Sequence, residues 1–462
     1  MAKVAVIGGG IAGLTAAFAL RERNPNIEIV IFESGERCGG KVRTELVQAS
    51  SEKFLIENGP NGFLDNQPAT LDFVTKLGLA DRVIAASPDA KRRYIYLRGK
   101  LRKAPGSPPE FIKSDILSFF GKLRVAREWF IKKATVEVAA RESVAAFVRR
   151  RFGKEVLHSM VEPFATGVFA GDIEKLELVS AFPRLAECEQ QYGGLLRTLI
   201  SMEREKKNLS KLGTPKPLTT MLSFRSGMGE LVSALEQSLQ KNIYIHSRVI
   251  SIQPMLGRWN VTVEKDNRKE GVLCEAVVLA APAPVAAGFV KSWCPDAAND
   301  LLTIESVPIA VVALGYDDPA ARPKEFDGFG FLVARGEKLR ILGALAETSI
   351  FERGGGGFLT RVMIGGARAP ELLNCTDEEL VSIAREDLQT ATGLRAAPNI
   401  SKVVRWAAAI PQYTIGHAAR IARIEAALGQ LPNLILAGAS YHGVSINDIC
   451  KNALQIARTF VR

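Results

Sequence analysis

The chain has 462 residues, too many for one hydrophobic core, and its 47% hydrophobic and 24% charged content excludes a disordered or fibrous protein. No apolar run reaches the ~18 residues that a membrane-spanning helix needs. The net charge of +11 is confined: residues 91–155 hold 18 Lys and Arg against 6 Asp and Glu, while the rest of the chain is near neutral. Such a segment attracts anions such as lipid headgroups or polycarboxylates.

In chain order, Met1, Ala2 and Lys3 lead into an apolar run, KVAVI (3–7), that stops at Gly8-Gly9-Gly10. This predicts a buried strand and a turn and not a signal peptide, so the protein is expected in the cytoplasm. A helix reading LTAAFALRER closes near Asn24-Pro25, and the strand IEIVIFE ends at Glu33, completing a βαβ unit. Residues 66–80 predict a helix with Asn66 as its cap, and 93–105 a β-hairpin turning at Arg98-Gly99-Lys100. From about 110 to 170 apolar residues recur at helical spacing among basic ones. Residues 203–217 are polar and predict an exposed, mobile loop. A strand and a helix follow in MLSFRSGMGELVSAL, then an edge-to-centre strand pair in NIYIHSRVISIQ and a buried strand over 276–282. Residues 307–366 predict an antiparallel sheet interrupted by the glycines 354–357. The chain closes on NLILAGAS, a buried strand, and a helix from Val444. The six cysteines and four histidines lack the paired spacing of a metal site.

The glycines carry the first chemical signal. Gly8-x-Gly10-x-x-Gly13 stands between a strand and a helix, and Glu33 follows Gly13 by 20 residues at the end of the next strand. Gly8 permits the tight turn, Gly10 lets backbone approach a pyrophosphate, and Gly13 lets helix pack on strand. Glu33 suits ribose hydroxyls and repels a 2′-phosphate, so the ligand is FAD or NAD and not NADP. The continuation Ser34 to Lys41, with Arg37, Gly39 and Gly40, resembles the R-x-G-G extension of the flavin amine oxidase superfamily. That resemblance favours FAD, and no second glycine motif of this context provides a nicotinamide domain.

Four further stretches, ENGPNGF (57–63), EPFATGVFAGD (162–172), IPQYTIGHAARI (410–421) and GASYHGVSINDICKNA (438–453), resemble the protoporphyrinogen and coproporphyrinogen oxidases. They span nearly the whole chain in the family's order. The resemblance implies an α/β fold with a two-dinucleotide-binding, Rossmann-like FAD domain (1–88, 222–298 and 406–462). A helical, basic, membrane-binding domain (89–221) and an antiparallel-sheet substrate domain (299–405) complete it. FAD is implied on Gly8, Gly9, Gly10, Ile11, Ala12, Gly13, Glu33, Ser34, Arg37, Gly40 and Lys41. Gly59, Pro60 and Asn61, Val249 at the adenine end, Trp406 near the flavin, and Val444, Ser445 and Ile446 over its pyrimidine edge complete that set. For the last three, a helix N-terminus suits the electron-rich edge of reduced flavin. Plain core packing is the alternative for Val249 and Ile446.

The same resemblance places a porphyrinogen against Gly167 and Phe169, with Leu332, Leu342 and Phe351 as apolar grips. Arg93 matches an arginine that pairs with a propionate in the mitochondrial and plastid-type members, and guanidinium binds carboxylate bidentately. The Gram-positive coproporphyrinogen enzymes lack it, which favours protoporphyrinogen, although Lys91, Arg92 and Arg98 are available for further carboxylates. The implied reaction removes six electrons in three hydride transfers to flavin, reoxidised by oxygen or a quinone. Residues 376–449 contain no cysteine for covalent attachment, so the FAD is expected to be noncovalent. The basic segment, with Phe111, Phe119, Phe120, Trp129 and Phe130, predicts peripheral association with an anionic membrane surface at the inner face of the cell membrane. A homodimer is compatible with this reading, whereas the segment lacks nucleic-acid recognition modules. Amine oxidases, carotenoid desaturases and a flavin-binding scaffold without turnover are the competing readings.

Overall fold

A computed structural model of the chain describes residues 3–211, 220–431 and 433–460. The chain begins with β1 (Lys3–Ile7), α1 (Ile11–Arg23) and β2 (Glu28–Phe32). β1 is the centre of a five-stranded parallel sheet, flanked by β2 and Ile243–Tyr244 on one side and by Ala276–Leu279 and Leu434–Leu436 on the other. Its strands read as unbroken apolar runs because both faces are covered. Val4, Val6, Ile29 and Ile31 pack in one cluster with Leu14 and Ile456, whereas Ala5, Ile7, Val30 and Phe32 pack in another with Trp259. A Cβ on Gly13 would lie 2.0 Å from the Gly8 carbonyl oxygen, so α1 can sit this close only on glycine.

A seven-stranded sheet holds the rest of the site. The hairpin β3 (Arg93–Leu97) and β4 (Lys100–Lys103) forms one edge. Its two-residue turn has φ of 55° at Arg98 and 74° at Gly99, the sign that matches strand twist. The expected antiparallel strands are present as Ser306–Tyr316, Gly330–Val333, Ile341–Ala346 and Phe358–Gly365. Gly330–Val333 also pairs with β3, in parallel. One face packs on the helix Asp377–Thr392 through Ala310, Val312, Phe331, Val362, Leu380 and Ala384. The opposite face carries Arg93 and Leu332 and is approached by α2 (Glu162–Phe169). β5 (Ile400–Pro411) is the far edge, and α3 (Ile446–Thr459) closes the chain against α1.

Several expectations are corrected. The helix expected over 66–80 is Pro68–Lys76: proline suits the first helical turn, and Asn66 accepts instead from the Asn447 side-chain amide at 3.3 Å. The loop expected over 203–217 is helical as far as Lys211, within Leu195–Lys211, because Lys, Glu and Arg are good helix formers. Its remaining residues lie outside the described ones. The two strands in 242–253 belong to different sheets, because the chain turns at His246, where φ is 52°.

The basic segment is helical in short pieces. Four of them begin on Ser107, Ser118, Thr135 and Ser143, whose side chains accept from the backbone amide three residues on. Much of its charge is neutralised internally. Arg151 is fully buried between Glu128 and Glu189, and Arg150 bridges Glu142 and Glu189.

Candidate active site

The nucleotide end is built from backbone. Gly8 has φ of 107°, donates to the Phe32 carbonyl, and leaves a Cβ only 2.6 Å from the Ala280 oxygen. Gly10 caps α1 without a side-chain bond, and a Cβ there would meet no atom within 4 Å. Open space before uncapped helix amides, with no acid in the first turn, fits a pyrophosphate. The Glu33 carboxylate accepts from Gly9 N–H at 2.7 Å and Gly35 N–H at 2.8 Å, and so is held at the mouth of this turn. Arg37 donates to the Cys38 and Gly40 carbonyls, both at 2.9 Å, and thereby ties down the glycine turn. Lys41 reaches the Ala409 carbonyl at 2.7 Å, and burial lowers its ammonium below the ordinary range. Val249 lies with its side chain in the core, and the adjacent Ser247 amide donates to the Glu33 carbonyl at 2.8 Å.

The end expected to face a flavin gathers three distant stretches. Trp406 on β5 donates from Nε1 to the Asn58 carbonyl at 2.8 Å. Arg361 holds the same segment through the Glu57 and Gly59 carbonyls, while its Nε donates to Glu347 at 2.7 Å. Asn61 donates to that carboxylate at 3.2 Å, and Arg353 pairs with Glu57 at 3.2 Å. Burial pushes the Glu57 carboxyl above its ordinary range, against the pull of Arg353, the Thr44 hydroxyl and the Met228 amide. This lattice of buried charges fixes Gly59, Pro60 and Asn61, and the sequence reading missed it. Arg361, Arg353 and Glu347 stand far in sequence from the 57–61 segment they hold, with no spacing to betray them; only arginines at sheet positions hinted at it. At the C-terminal end Ser445 caps α3, its Oγ accepting from Asp448 N–H at 3.2 Å, and Val444 stands just before it. Ile446 packs into the core.

On the side expected to face the substrate, Arg93 is solvent-accessible yet ringed by protein, and that desolvation lowers its guanidinium below the ordinary value. Of its neighbours, Arg92 pairs with Asp89 at 2.8 Å and Asp327 at 3.1 Å, and Arg98 pairs with Glu155 at 3.2 Å. Arg93 has no carboxylate partner among the described residues. A Cβ on Gly167 would lie 3.0 Å from Leu332 Cδ2, so helix and sheet touch here. Phe164 and Val168, flanking Gly167 at helical spacing, leave their apolar side chains exposed; they were legible as that spacing and were overlooked. Leu342 and Phe351 are 4% and 2% exposed, Leu342 packed with Ala170 and Ile309 and Phe351 with Ala90 and Ile350. Phe169 is likewise buried, its ring against Tyr413 and Phe182.

The arrangement offers an open, backbone-lined pyrophosphate cradle, a rigid backbone segment at the flavin end, and an apolar wall with one unpaired cation. These features suit a dinucleotide cofactor beside a flat, carboxylate-bearing substrate. Comparisons agree. Residues 11–459 match the family described as flavin containing amine oxidoreductase. The chain is 30% identical to the coproporphyrinogen III oxidase of Staphylococcus aureus, covering 96% of each chain. It is also 30% identical to the chloroplastic protoporphyrinogen oxidase 1 of Spinacia oleracea, over 99% of this chain and 83% of that one. A solved structure from Exiguobacterium sp. 255-15, provisionally described as a protoporphyrinogen oxidase, superposes with a TM-score of 0.81 at 24% identity, covering 99% and 98% of the two chains.

Proposed function

Since the chain belongs to the flavin-containing amine oxidoreductases, and among them to the protoporphyrinogen and coproporphyrinogen oxidases, we propose that it oxidises protoporphyrinogen IX to protoporphyrin IX. A bound flavin supplies the electron acceptor for each of the three dehydrogenations. The residues of the chain bind, orient and keep water from the ring system.

The observation that carries the substrate choice is Arg93. It is the one arginine of Arg92, Arg93 and Arg98 without a carboxylate, and apolar Phe164, Val168 and Leu332 line the helix–sheet wall of the site. A substrate with two propionates on one side puts them at the cation and its apolar groups on the wall. Four propionates would set carboxylates against apolar surface, at a cost of several kcal/mol each. The test is a paired assay of purified protein with protoporphyrinogen and coproporphyrinogen, read as porphyrin fluorescence. A higher kcat/KM for coproporphyrinogen overturns the assignment.

The cofactor in this reading is FAD, bound noncovalently. Cys450, the cysteine nearest the flavin end in sequence, is fully buried in α3, and burial pushes its thiol up to about 12. Oxygen or a quinone takes the electrons, and the basic helices dock the protein on an anionic membrane face on the cytoplasmic side.

A further inference from the structure

The turn Ala439–Gly443 leads from the strand Leu434–Leu436 of the nucleotide sheet into α3. Its shape therefore sets where Val444 and Ser445 stand. One side chain from another part of the molecule spans it. Tyr413, just past the end of β5, donates its hydroxyl to the Ala439 carbonyl at 2.6 Å and accepts from the Gly443 N–H at 2.8 Å. Gly443 has φ of 109°, a conformation that suits glycine and aims its amide inward.

The ring that carries this hydroxyl is itself fixed. It is buried, stacked on His417 with centroids 4.0 Å apart and planes 14° from parallel, and it lies 5.8 Å from the Phe169 ring at the end of α2. Its carbonyl accepts from Glu177 N–H at 2.7 Å, and the neighbouring Gln412 side chain donates to the Phe169 carbonyl at 2.9 Å. The Glu177 carboxylate in turn accepts from the amides of Gly416 and Ala418, at 2.7 and 2.9 Å, which sets the helix bearing His417. Burial keeps His417 neutral at pH 7 by lowering it to about 4, so it supplies a flat face and no charge.

A phenylalanine would fill this apolar slot equally well. The hydroxyl is buried for the turn alone. We propose that Tyr413 is a positioning residue for the flavin: its hydroxyl clasps both ends of the turn 439–443 and so fixes the N-terminus of α3 over the flavin's pyrimidine edge. The same tyrosine touches Phe169, so the clasp joins the substrate-side helix to the cofactor-side helix. This rests on the flavin site proposed above.

The experiment compares wild type with Tyr413→Phe, using the full-length protein stripped of and reloaded with FAD. Flavin fluorescence quenching gives the FAD dissociation constant, and equilibration with redox dyes gives the two-electron midpoint potential. In the variant the turn relaxes until Gly443 N–H finds water, and binding must form it again. The dissociation constant should therefore rise about tenfold, the order expected for the loss of one hydrogen bond at a half-buried amide. The midpoint potential should fall, because the helix end no longer faces the electron-rich reduced edge squarely. A variant matching wild type in both measurements overturns the proposal. A wild type that binds no FAD overturns the flavin reading itself and this inference with it. Should the variant fail to fold, hydrogen exchange on FAD-loaded wild type decides: slow exchange at the Gly443 amide supports the clasp, and exchange at the rate of an unstructured peptide overturns it.

Discussion

The Arg93 guanidinium lies 4.7 Å from the centre of the Phe329 ring and meets no carboxylate among the described residues. The ring holds the long side chain in place without neutralising it, leaving its donors for an incoming anion. Arg93→Ala should lower kcat/KM for protoporphyrinogen by about 1.5–3 kcal/mol, the range for hydrogen bonds to a charged group. Arg93→Lys should recover only part, because a point charge cannot bind bidentately. Steady-state kinetics on FAD-loaded protein checks this, and an unchanged kcat/KM removes the anchor.

Gly10 and Gly13, three residues apart, should fail differently. A Cβ on Gly10 meets no protein atom within 4 Å, and its backbone, at φ −66° and ψ 172°, accepts alanine. Gly10→Ala should leave the melting temperature of the flavin-free protein unchanged while weakening FAD binding. A Cβ on Gly13 would stand 2.0 Å from the Gly8 oxygen, so Gly13→Ala must push α1 off its sheet and lower stability with or without FAD. Thermal melts and FAD titrations of the two variants separate space kept for a ligand from space needed by the fold.

What could be read from the sequence was local or periodic. The βαβ unit, its glycines and Glu33 were legible because strand, turn and helix follow within 31 residues. The hairpin carrying Arg93 was legible from its Arg98-Gly99 turn. What escaped was contact at long range. The hold of Arg361 on the Glu57 and Gly59 carbonyls, the pairing of Arg353 with Glu57, and the clasp of Tyr413 on Gly443 depend on which strands adjoin. Burial escaped too: nothing in the spacing of Leu342 and Phe351 shows how far neighbours cover them.

The basic helices depend on a buried ion cluster. Arg151 is fully enclosed, donating to Glu128 at 2.7 Å through Nε and pairing with Glu189. Arg151→Ala leaves buried Glu128 without its cation, while Glu189 keeps Arg150, and should cost about 3–5 kcal/mol in a denaturant titration.

Acid acts on the same cluster. Burial raises the Glu189 carboxyl, but hydrogen bonds and charge from Arg150 and Arg151 outweigh it and leave the group below its ordinary range. A depressed folded pKa contributes stability that is complete above the unfolded value of about 4.3 and is lost as pH falls through the lower folded value. Melting temperature should therefore drop below about pH 4, with a flatter slope in Glu189→Gln, which has no such proton to take up. Parallel slopes for the two proteins would assign the acid sensitivity elsewhere.

The last expectation concerns the outer face of those helices. Phe119, Phe120 and Phe130 are 70%, 78% and 80% exposed, an unusual state for large apolar rings on a folded surface. Lys113, Lys132 and Lys133 lie in the same segment and pair with no carboxylate among the described residues, whereas its buried arginines are already neutralised. No helix of the described residues is long and apolar enough to cross a membrane. Rings and lysines in this mixture suit an interface where the rings enter the acyl boundary and the ammoniums meet lipid phosphates. The protein should bind vesicles rich in phosphatidylglycerol and release as salt rises, because each exposed charge is screened over roughly 8 Å near physiological ionic strength. Lys132→Glu with Lys133→Glu should weaken that binding without changing affinity for neutral vesicles. Replacing one of the three rings by alanine should weaken both, by on the order of 1.5 kcal/mol if the ring is fully inserted. Vesicle sedimentation across a salt series distinguishes the two contributions. Equal affinity for neutral and anionic vesicles at low salt would strip the lysines of their part, and salt-insensitive binding lost only with the rings would leave a purely apolar contact.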